Sequence, residues 1–556
     1  MSGIDSVIGL NKGNVLKRPL LALTLAAATA PLLSPLLPVG CSFIVEAPAY
    51  ARAKLAIPVK MGNPDANRPA APKLPPLTER EKVVHVLNRL TFGPSPQDIQ
   101  NVDSLGIDRY IDQQLHPDTI GEARTVTDFV SNSDALTKDP DHLYVEYGPP
   151  AIEAALIEQN IDQKSDEGKK AFNKIRGTLG KQVMDDTIKA KLLRAVESPR
   201  QLQQVMTEFW FNHFNIYNDK GNDRYWLGAY EEQAIRPYAL GKFRDIVGAT
   251  CHHAAMLFYL DNWQNAADRV DKNGKKTPGL NENYARELME LHTLGVDGGY
   301  SQQDVIQLAH ILTGLTTAVH GKNGELKSPT NALGSYFNEK RHDFGDKVLL
   351  GQTIKGSGEN EIEQALDMLC RQPATAHHIC FQLAQYFVND NPPAALVDKL
   401  SAKFLKSDGD IAVVLKELFK SPEFMDPANN NVKYKAPLRY IISILRATGA
   451  RPDDYNRVQQ YLREQGEPLY GCLTPDGYKN VRGAWLNPDA LVHRANFAVQ
   501  LVNNHFKGVD PGPIDARDLQ ETLGLELAPA TSSAIDKAPG NLKPALILGS
   551  PEFMLY

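Results

Sequence analysis

Residues 281–295 read Asn-Glu-Asn-Tyr-Ala-Arg-Glu-Leu-Met-Glu-Leu-His-Thr-Leu-Gly, and the rest of the chain can be understood from this stretch outward. Asn281 is a favoured N-cap residue, and Gly295 stands where a left-handed residue would end a helix. Between them, apolar side chains recur at helical spacing and form a stripe that must be buried: Tyr284, Leu288, Leu291 and Leu294. The stretch therefore predicts an amphipathic helix of about four turns.

The polar residues of this predicted helix flank its apolar stripe. Asn283, Glu287 and Glu290 cluster along one edge, while His292 falls on the opposite edge. Carboxylates beside a buried face must reach water or be paired inside the protein, because an unpaired buried carboxylate is costly. The stretch therefore marks a candidate site without indicating which reaction it would run.

Similar helix signals punctuate most of the chain. Thr78-Glu79-Arg80-Glu81 is a capping box, and Ser198-Pro199 opens another helix. Residues 317–357 lose the helical period, and the short alternating runs around residues 348–351 predict a small β-hairpin near residues 336–351. We predict a mainly α fold, a multi-helical globular domain over residues 78–556 with a small β-hairpin insertion and a sub-boundary near residue 357.

Composition excludes some partners. The chain has 556 residues, of which 42% are hydrophobic and 23% charged, so it can bury a sizeable core. Its formal net charge is -6, and no basic run with interleaved aromatic residues occurs. We therefore expect no nucleic-acid partner.

The N-terminus has the pattern of an export signal. An apolar run over residues 19–40 leads to Ala49-Tyr50-Ala51, a small-x-small cleavage site. Three basic residues precede that run: Lys12, Lys17 and Arg18. We predict a cleavable signal peptide over residues 1–51 and a mature chain that is periplasmic or extracellular.

Two features next to this signal complete the N-terminal region. A lipoprotein anchor at Cys41 is disfavoured, because Pro38 stands three positions before it where an aliphatic residue is usual. Residues 52–77 are rich in proline and alanine and lack periodicity, which predicts a flexible arm.

Four cysteines follow the predicted cleavage site: Cys251, Cys370, Cys380 and Cys472. An exported protein can form disulfides, and Cys370 and Cys380 flank a turn at Pro373 and could bridge. Two buried thiols explain the same pair equally well. No Cys-x-x-Cys spacing occurs, which argues against a cysteine zinc site.

Several motifs together resemble the bacterial family catalogued as domain of unknown function 1800. They are Leu-Thr-Phe-Gly-Pro at 90–94, Phe-Trp-Phe-Asn-His-Phe at 209–214, Tyr-Leu-Asp-Asn at 259–262, the stretch 281–300, His-Asp at 342–343 and Trp-Leu-Asn-Pro at 485–488. The resemblance runs from about residue 83 to the C-terminus. It implies an exported, mainly helical protein, often encoded beside a second exported family of unknown function (number 1501) that would supply a partner protein. It implies no particular activity.

One hypothesis is an exported hydrolase acting on cell-envelope or extracellular polysaccharide. Glu287 and Glu290 are three residues apart on the predicted helix, with Cβ atoms about 5–6 Å apart, so that one carboxylate would raise the pKa of the other. Polysaccharide cleavage uses two carboxyl groups about 5–9 Å apart. His213, at the end of an apolar helix face, is the third candidate catalytic residue. Alternatively, Arg286 and a basic residue of a neighbouring helix neutralise both acids in a buried ionic network.

A metal-dependent enzyme is a second hypothesis, with ligands drawn from Glu287 or Glu290 together with His213, His252 or His292. Helical bundles build such sites with Glu-x-x-His pairs. Here Glu290 and His292 are two residues apart, which points their side chains away from each other. We therefore predict no metal ligands.

The third hypothesis is a non-catalytic cell-envelope scaffold or carbohydrate-binding protein. Side chains suited to binding a polysaccharide are Asn212, Asn262, Asn281, Asn283, Arg286 and His292. The sequence contains no nucleophile elbow, P-loop or dinucleotide fingerprint, which disfavours acyl transfer by the usual motif, nucleotide hydrolysis and hydride transfer. We predict no cofactor.

The sharpest expectation is geometric. Two predicted helices, over residues 199–214 and 281–295, each carry polar groups at the edge of the face that must be buried. Burying these edges against each other would place Asn283, Glu287 and Glu290 opposite His213 and Asn262. The polar loop over residues 264–279 would then form the rim of the pocket.

Overall fold

The computed structural model describes residues 74–270, 272–320, 325–503, 509–510 and 512–556. The predicted signal peptide, Cys41 and the predicted arm up to residue 73 lie outside these ranges. The first helix within these ranges begins at Glu79. Thr78 caps that helix, because its side chain accepts the Glu81 N–H while the Glu81 carboxylate accepts the Thr78 N–H.

The protein is mainly α, as the sequence predicts. Its N-terminal helices are α1 (Glu79–Leu90), α2 (Pro96–Leu105), α3 (Ile107–Gln114), α4 (Arg124–Ser131), α5 (Asp134–Thr137), α6 (Pro140–Tyr147), α7 (Pro149–Glu158) and α8 (Asp166–Glu197). The first half of α8 is largely exposed and lysine-rich, whereas its second half, from Val183 onward, lies in the core. This long helix therefore carries Lys191 into the interior, where that residue is 8% exposed.

The central helices are α9 (Gln201–His213), α10 (Asp223–Tyr230), α11 (Phe243–Cys251), α12 (Ala254–Tyr259), α13 (Asn283–Glu290) and α14 (Gln302–Ile311). The pattern over residues 243–260 is typical of one helix, but the structure divides it into α11 and α12. The break has a local cause: His253 is in an extended conformation, and its ring nitrogen accepts the Ala255 N–H at 3.2 Å, so it caps α12.

The helix within residues 281–295 is shorter than predicted. The Asn281 side chain accepts the Asn283 N–H at 3.0 Å in a turn before α13. After Glu290 the α-helical pattern ends, because the His292 N–H bonds five residues back to the Glu287 carbonyl at 3.0 Å. Gly295 has φ +85° and packs closely on His378, where a Cβ would lie 2.9 Å from Nδ1. Gly295 therefore adopts the left-handed conformation that the sequence predicts, but it ends a turn rather than a helix.

The strands of the described residues form four two-stranded antiparallel sheets: β1 (Arg269–Val270) with β2 (Lys276–Thr277), β3 (Leu315–Thr317) with β4 (Ser335–Phe337), β5 (Lys347–Leu349) with β6 (Gln352–Ile354), and β7 (Arg451–Pro452) with β8 (Val509–Asp510). The predicted hairpin corresponds to β5–β6, which lies over residues 347–354 rather than 336–351. Leu350 and Gly351 connect its strands with φ values of +49° and +76°. Positive φ at both central residues is the requirement of a tight type I′ turn.

A buried ion pair attaches this hairpin to the next helix, α15 (Asn360–Cys370). Glu361 and the His342 side chain are completely buried, and Lys347 Nζ lies 2.6 Å from Glu361 Oε2. Burial would raise the pKa of Glu361, but hydrogen bonds from Lys347 and His342 outweigh it and hold that pKa below 4.5. The His-Asp motif at 342–343 therefore has a structural role in anchoring the hairpin.

The C-terminal helices are α15 (Asn360–Cys370), α16 (Pro373–Phe387), α17 (Ala394–Lys406), α18 (Ile411–Phe419), α19 (Pro437–Thr448), α20 (Tyr455–Glu464), α21 (Arg482–Trp485), α22 (Pro488–Val502), α23 (Ala516–Leu523), α24 (Pro529–Lys537) and α25 (Lys543–Leu548). Two buried arginines of α19 join it to the start of the domain. Arg439 donates to the Asn88 carbonyl at 2.9 Å, and Arg446 donates to the Gly93 carbonyl at 2.8 Å. The earliest helices of the domain and α19 therefore share one core.

Two further features concern cysteines and membranes. Cys370 and Cys380 are buried free thiols, and burial raises the pKa of each to about 12. The sequence allows either a disulfide or two buried thiols at this pair, and the structure has two buried thiols. Within the described ranges, no helix combines the length and apolar character that crossing a bilayer requires.

Candidate functional site

A cavity of about 430 Å³ lies among α9, α13, α16, the first turn of α19 and the loop over residues 467–480. Its volume is typical of a small-molecule or oligosaccharide site. Its carboxyl groups are Glu208, Glu290, Glu467 and Asp476. Its aromatic side chains are Phe92, Phe209, Phe381, Tyr386, Tyr478, Trp485 and Tyr556. Three of the residues proposed from the sequence line it: Asn212, His213 and Glu290.

His213 reaches the cavity from the last turn of α9. Its Nε2 lies 3.1 Å from the His292 carbonyl, and its Nδ1 lies 2.8 Å from the Gln382 side-chain amide. Burial, and then the neighbouring His378, lower the pKa of His213 to about 4. The ring is therefore neutral near pH 7, and its single N–H can donate to only one of the two carbonyl oxygens that it faces, that of His292 or that of the Gln382 side chain. Both ring nitrogens are engaged inside the protein.

Asn212 holds one wall of the cavity in place. Its amide donates to the Tyr478 carbonyl at 2.8 Å and accepts the Tyr478 N–H at 2.7 Å. Gly477, with φ +63°, makes this approach possible, because a Cβ there would lie 2.1 Å from the Asn212 carbonyl oxygen. The amide of Asn212 thereby positions the loop that carries Asp476 and Lys479.

Glu290 lies at the end of α13, is partly exposed and lines the cavity, and Glu287 lies one turn before it; we call this side of the cavity its mouth. Burial, followed by the charge of Glu290, raises the pKa of Glu287 to about 6. The three-residue spacing in the sequence predicts that one carboxylate raises the pKa of the other, and Glu290 has this effect on Glu287 in the structure. Tyr300 shares a hydrogen bond with Glu290, while burial and the charge of that glutamate raise the tyrosine pKa to about 12.

Sequence reasoning overlooked Glu208, which lies on α9 one residue before Phe209. Lys191 Nζ lies 2.5 Å from the Glu208 carboxylate and 2.8 Å from that of Glu231. Burial would lower the pKa of Lys191, but the two carboxylates raise it overall. A signal was present, because Glu208 interrupts a helix segment whose neighbours are apolar and buried.

Sequence reasoning also overlooked Glu467, which follows α20 and lines the same cavity. Its side chain is 6% exposed, and one carboxyl oxygen accepts the Leu438 N–H at 2.6 Å. Burial, and to a lesser degree the charge of Glu208, raise the pKa of Glu467 to about 8. At neutral pH this group is a protonated carboxylic acid. No local pattern in the sequence could have identified it.

A protein family matches most of the chain. The family is described as protein of unknown function (DUF1800), and its model matches residues 85–555. The chain belongs to this family. The match confirms the resemblance drawn from the motifs and covers every residue that lines the cavity except Tyr556. No curated protein and no solved structure matches the chain.

In this DUF1800 protein, the other asparagines proposed from the sequence form a structural ladder outside the cavity. Asn262, 1% exposed, donates to the Leu312 and Leu315 carbonyls at 3.3 and 2.9 Å. Its own oxygen accepts from Asn265, whose oxygen in turn accepts the Asn281 N–H at 2.9 Å. The Asn283 side chain donates to the Leu260 carbonyl at 3.2 Å. These bonds place the start of α13.

The remaining residues proposed for substrate binding in the DUF1800 chain also lie away from the cavity. Arg286 pairs with Glu282 at 3.1 Å on the surface. His292 is buried behind His213, with ring centroids 6.0 Å apart, and burial lowers its pKa well below 6.5. None of the described residues of the 264–279 loop lines the cavity. The pocket thus has different walls from those predicted, although His213 and Glu290 do share it.

A metal centre in this DUF1800 protein finds little support among the residues described. His252, one of the histidines considered, instead lies 2.8 Å from the Glu363 carboxylate in a partly buried contact. No group of three or more histidine, cysteine, aspartate or glutamate side chains in the described part of the chain is arranged to hold a metal ion.

Proposed function

We propose that the protein is an exported hydrolase that cleaves a cell-envelope or extracellular polysaccharide in the 430 Å³ cavity. The observation that carries this proposal is the contrast between two carboxyl groups of one cavity. Burial keeps Glu467 protonated, with a pKa of about 8, whereas the Glu208 carboxylate forms an ion pair with Lys191. Glycoside cleavage requires such a contrast between a proton donor and an ionised partner.

In this proposal each group has one role. Glu467 donates its proton to the oxygen of the leaving sugar. The Glu208 carboxylate acts on the opposite side of the bond, either as the base for a water molecule or as the nucleophile. The aromatic side chains of the walls offer flat apolar faces to sugar rings, and Gln382 and Gln385 offer amides to hydroxyl groups.

The Glu287–Glu290 pair is the second candidate for the same chemistry. Its support is the pKa of about 6 at Glu287, which would let that group donate a proton in mildly acidic surroundings. Glu290 lines the cavity mouth and Glu287 lies beside it, so the two assignments use the same cavity but different carboxyl groups. Export is supported by the N-terminal sequence pattern.

The test is the release of reducing ends from a panel of envelope and extracellular polysaccharides by the mature protein. We expect Glu467→Gln and Glu208→Gln each to reduce the rate by about 10²- to 10⁴-fold, because each removes an acid–base group. Glu363→Gln is the matched control, since Glu363 is a partly buried, ion-paired glutamate outside the cavity.

The outcomes separate the assignments. Loss of activity in Glu287→Gln with full activity in Glu467→Gln would transfer the acid role to the pair on α13. A wild-type protein that cleaves no polysaccharide in the panel would refute the hydrolase proposal.

A further inference from the structure

Two carboxylates at the mouth of the cavity, Glu287 and Glu290, form no ion pair with a basic side chain of the described residues. Among the described residues, neither Glu287 nor Glu290 has a lysine, arginine or histidine nitrogen within ion-pair distance. Arg286, the nearest basic residue in sequence, is bound to Glu282 and Gln302 instead. Burial and the charge of Glu290 therefore raise the pKa of Glu287 to about 6, and the charge of Arg286 lowers it only in part.

A third carboxylate adds to this repulsion. Asp476 lines the cavity, and its charge also raises the pKa of Glu287. Lys479 lies 2.5 Å from Asp476 and neutralises it in part. The mouth thus presents more negative than positive charge to an entering ligand.

The cations that line the cavity are already engaged. Lys479 forms its ion pair with Asp476. The Arg439 guanidinium donates to the carbonyls of Asn88 and Thr91 at 2.9 and 2.5 Å and lies 4.5 Å from the centre of the Tyr556 ring. Neither group is free to receive a carboxylate or sulfate, so the charge pattern argues against a uronic acid or a sulfated sugar.

We propose that the cavity mouth binds the ammonium group of an amino sugar, so that the substrate is a polysaccharide with unacetylated amino groups. The polysaccharide part of this inference rests on the proposed function. An ammonium group between Glu287 and Glu290 would replace their repulsion by two charge-assisted hydrogen bonds. Phe381, 37% exposed in the same cavity, offers an apolar face for the sugar ring that carries the amine.

Calorimetric binding tests this directly, with hexasaccharides of glucosamine, of N-acetylglucosamine and of galacturonic acid as probes at pH 6. We expect the mature protein to bind the glucosamine hexamer at least about tenfold more tightly than the other two, and added salt to reduce that preference. Glu290→Gln should remove most of the preference, and Glu287→Gln should weaken it. Glu363→Gln should leave it unchanged, and melting curves of each variant check folding.

Each result has a defined meaning. Equal or tighter binding of the acetylated or acidic hexamer, or no binding of any hexamer, would overturn the amino-sugar assignment. Tighter binding of hexalysine than of the glucosamine hexamer, abolished by Glu290→Gln, would overturn it in favour of a cationic peptide. Selective binding of the glucosamine hexamer without cleavage would refute only the hydrolase proposal. Cleavage of polysaccharides without any preference for free amines would refute only the amino-sugar assignment.

Discussion

Replacing Glu467 by glutamine should change how the stability of the folded protein depends on pH. Burial raises the pKa of this carboxyl group from 4.5 to about 8. Below pH 4.5 the folded and unfolded chains both carry the proton. As the pH rises, the unfolded chain releases its proton first, so the folded state binds more protons and its free energy of unfolding falls until about pH 8.

The size of this effect follows from the pKa difference. Each pKa unit corresponds to about 1.4 kcal/mol, so the free energy of unfolding of the wild type should fall by about 4 kcal/mol between pH 5 and pH 8 because of this group. For roughly 480 folded residues, the entropy of unfolding is about 1 kcal/mol per kelvin. The corresponding loss in melting temperature is about 4 °C. Glutamine does not titrate and keeps a similar shape, so Glu467→Gln should lack this loss.

The assay is a melting series of both proteins at pH 5, 6, 7 and 8 in buffers of equal ionic strength. The melting temperature of Glu467→Gln relative to the wild type should rise by about 4 °C across the series. Glu361→Gln is the contrasting control. Its carboxylate is fully buried and has a lowered pKa, so this change should destabilise the protein at every pH in the series.

A difference between Glu467→Gln and the wild type that stays constant from pH 5 to pH 8 would refute the reasoning. It would mean that Glu467 is ionised in the folded protein at neutral pH. The proton-donor role proposed for it would then lose its physical basis.

Two further expectations concern the asparagine ladder and the N-terminus. Asn262→Ala removes the side-chain donor to the buried Leu312 and Leu315 carbonyls and the acceptor of the Asn265 amide, and it should cost about 3 kcal/mol, or about 3 °C in melting temperature. Binding of the glucosamine hexamer should be unchanged; loss of binding without loss of stability would contradict a structural role. The chain recovered from the periplasm or medium of its host should begin near Arg52 by N-terminal sequencing, and an intact N-terminus in the cytoplasm would contradict the predicted signal peptide.

The fold class was accessible from the sequence because its signals are local. The capping box at Thr78 and the hairpin turn at Leu350 and Gly351 each depend on residues within a few positions, and both are present in the structure. The length of α13 was not accessible in the same way. This helix ends at Glu290, after which the carbonyls of Leu291 and His292 face the side chains of His378 and His213, which lie on helices distant in the chain.

In the candidate site too, only the residues that follow local sequence patterns could be predicted. The stretch 281–295 indicated Glu290, and an apolar helix face ending in a histidine indicated His213, and both line the cavity. The side chain of Asn262 suits a sugar equally well in sequence, but the structure uses it to hold backbone carbonyls. Glu467 owes its raised pKa to burial by distant elements, and such burial leaves no periodic trace in the sequence.

The two arginines of α19 also bear on how the protein is made. Arg439 bonds to Asn88 and Arg446 bonds to Gly93, partners that are 351 and 353 residues earlier in the chain. Contacts of such long range close late in folding, since a large loop must be ordered before they form. A ribosome must therefore synthesise most of the domain before its first helices find their final neighbours. The cavity is affected in the same way, because Phe92 and Arg439 both line it, so its walls cannot be complete before α19 has been synthesised.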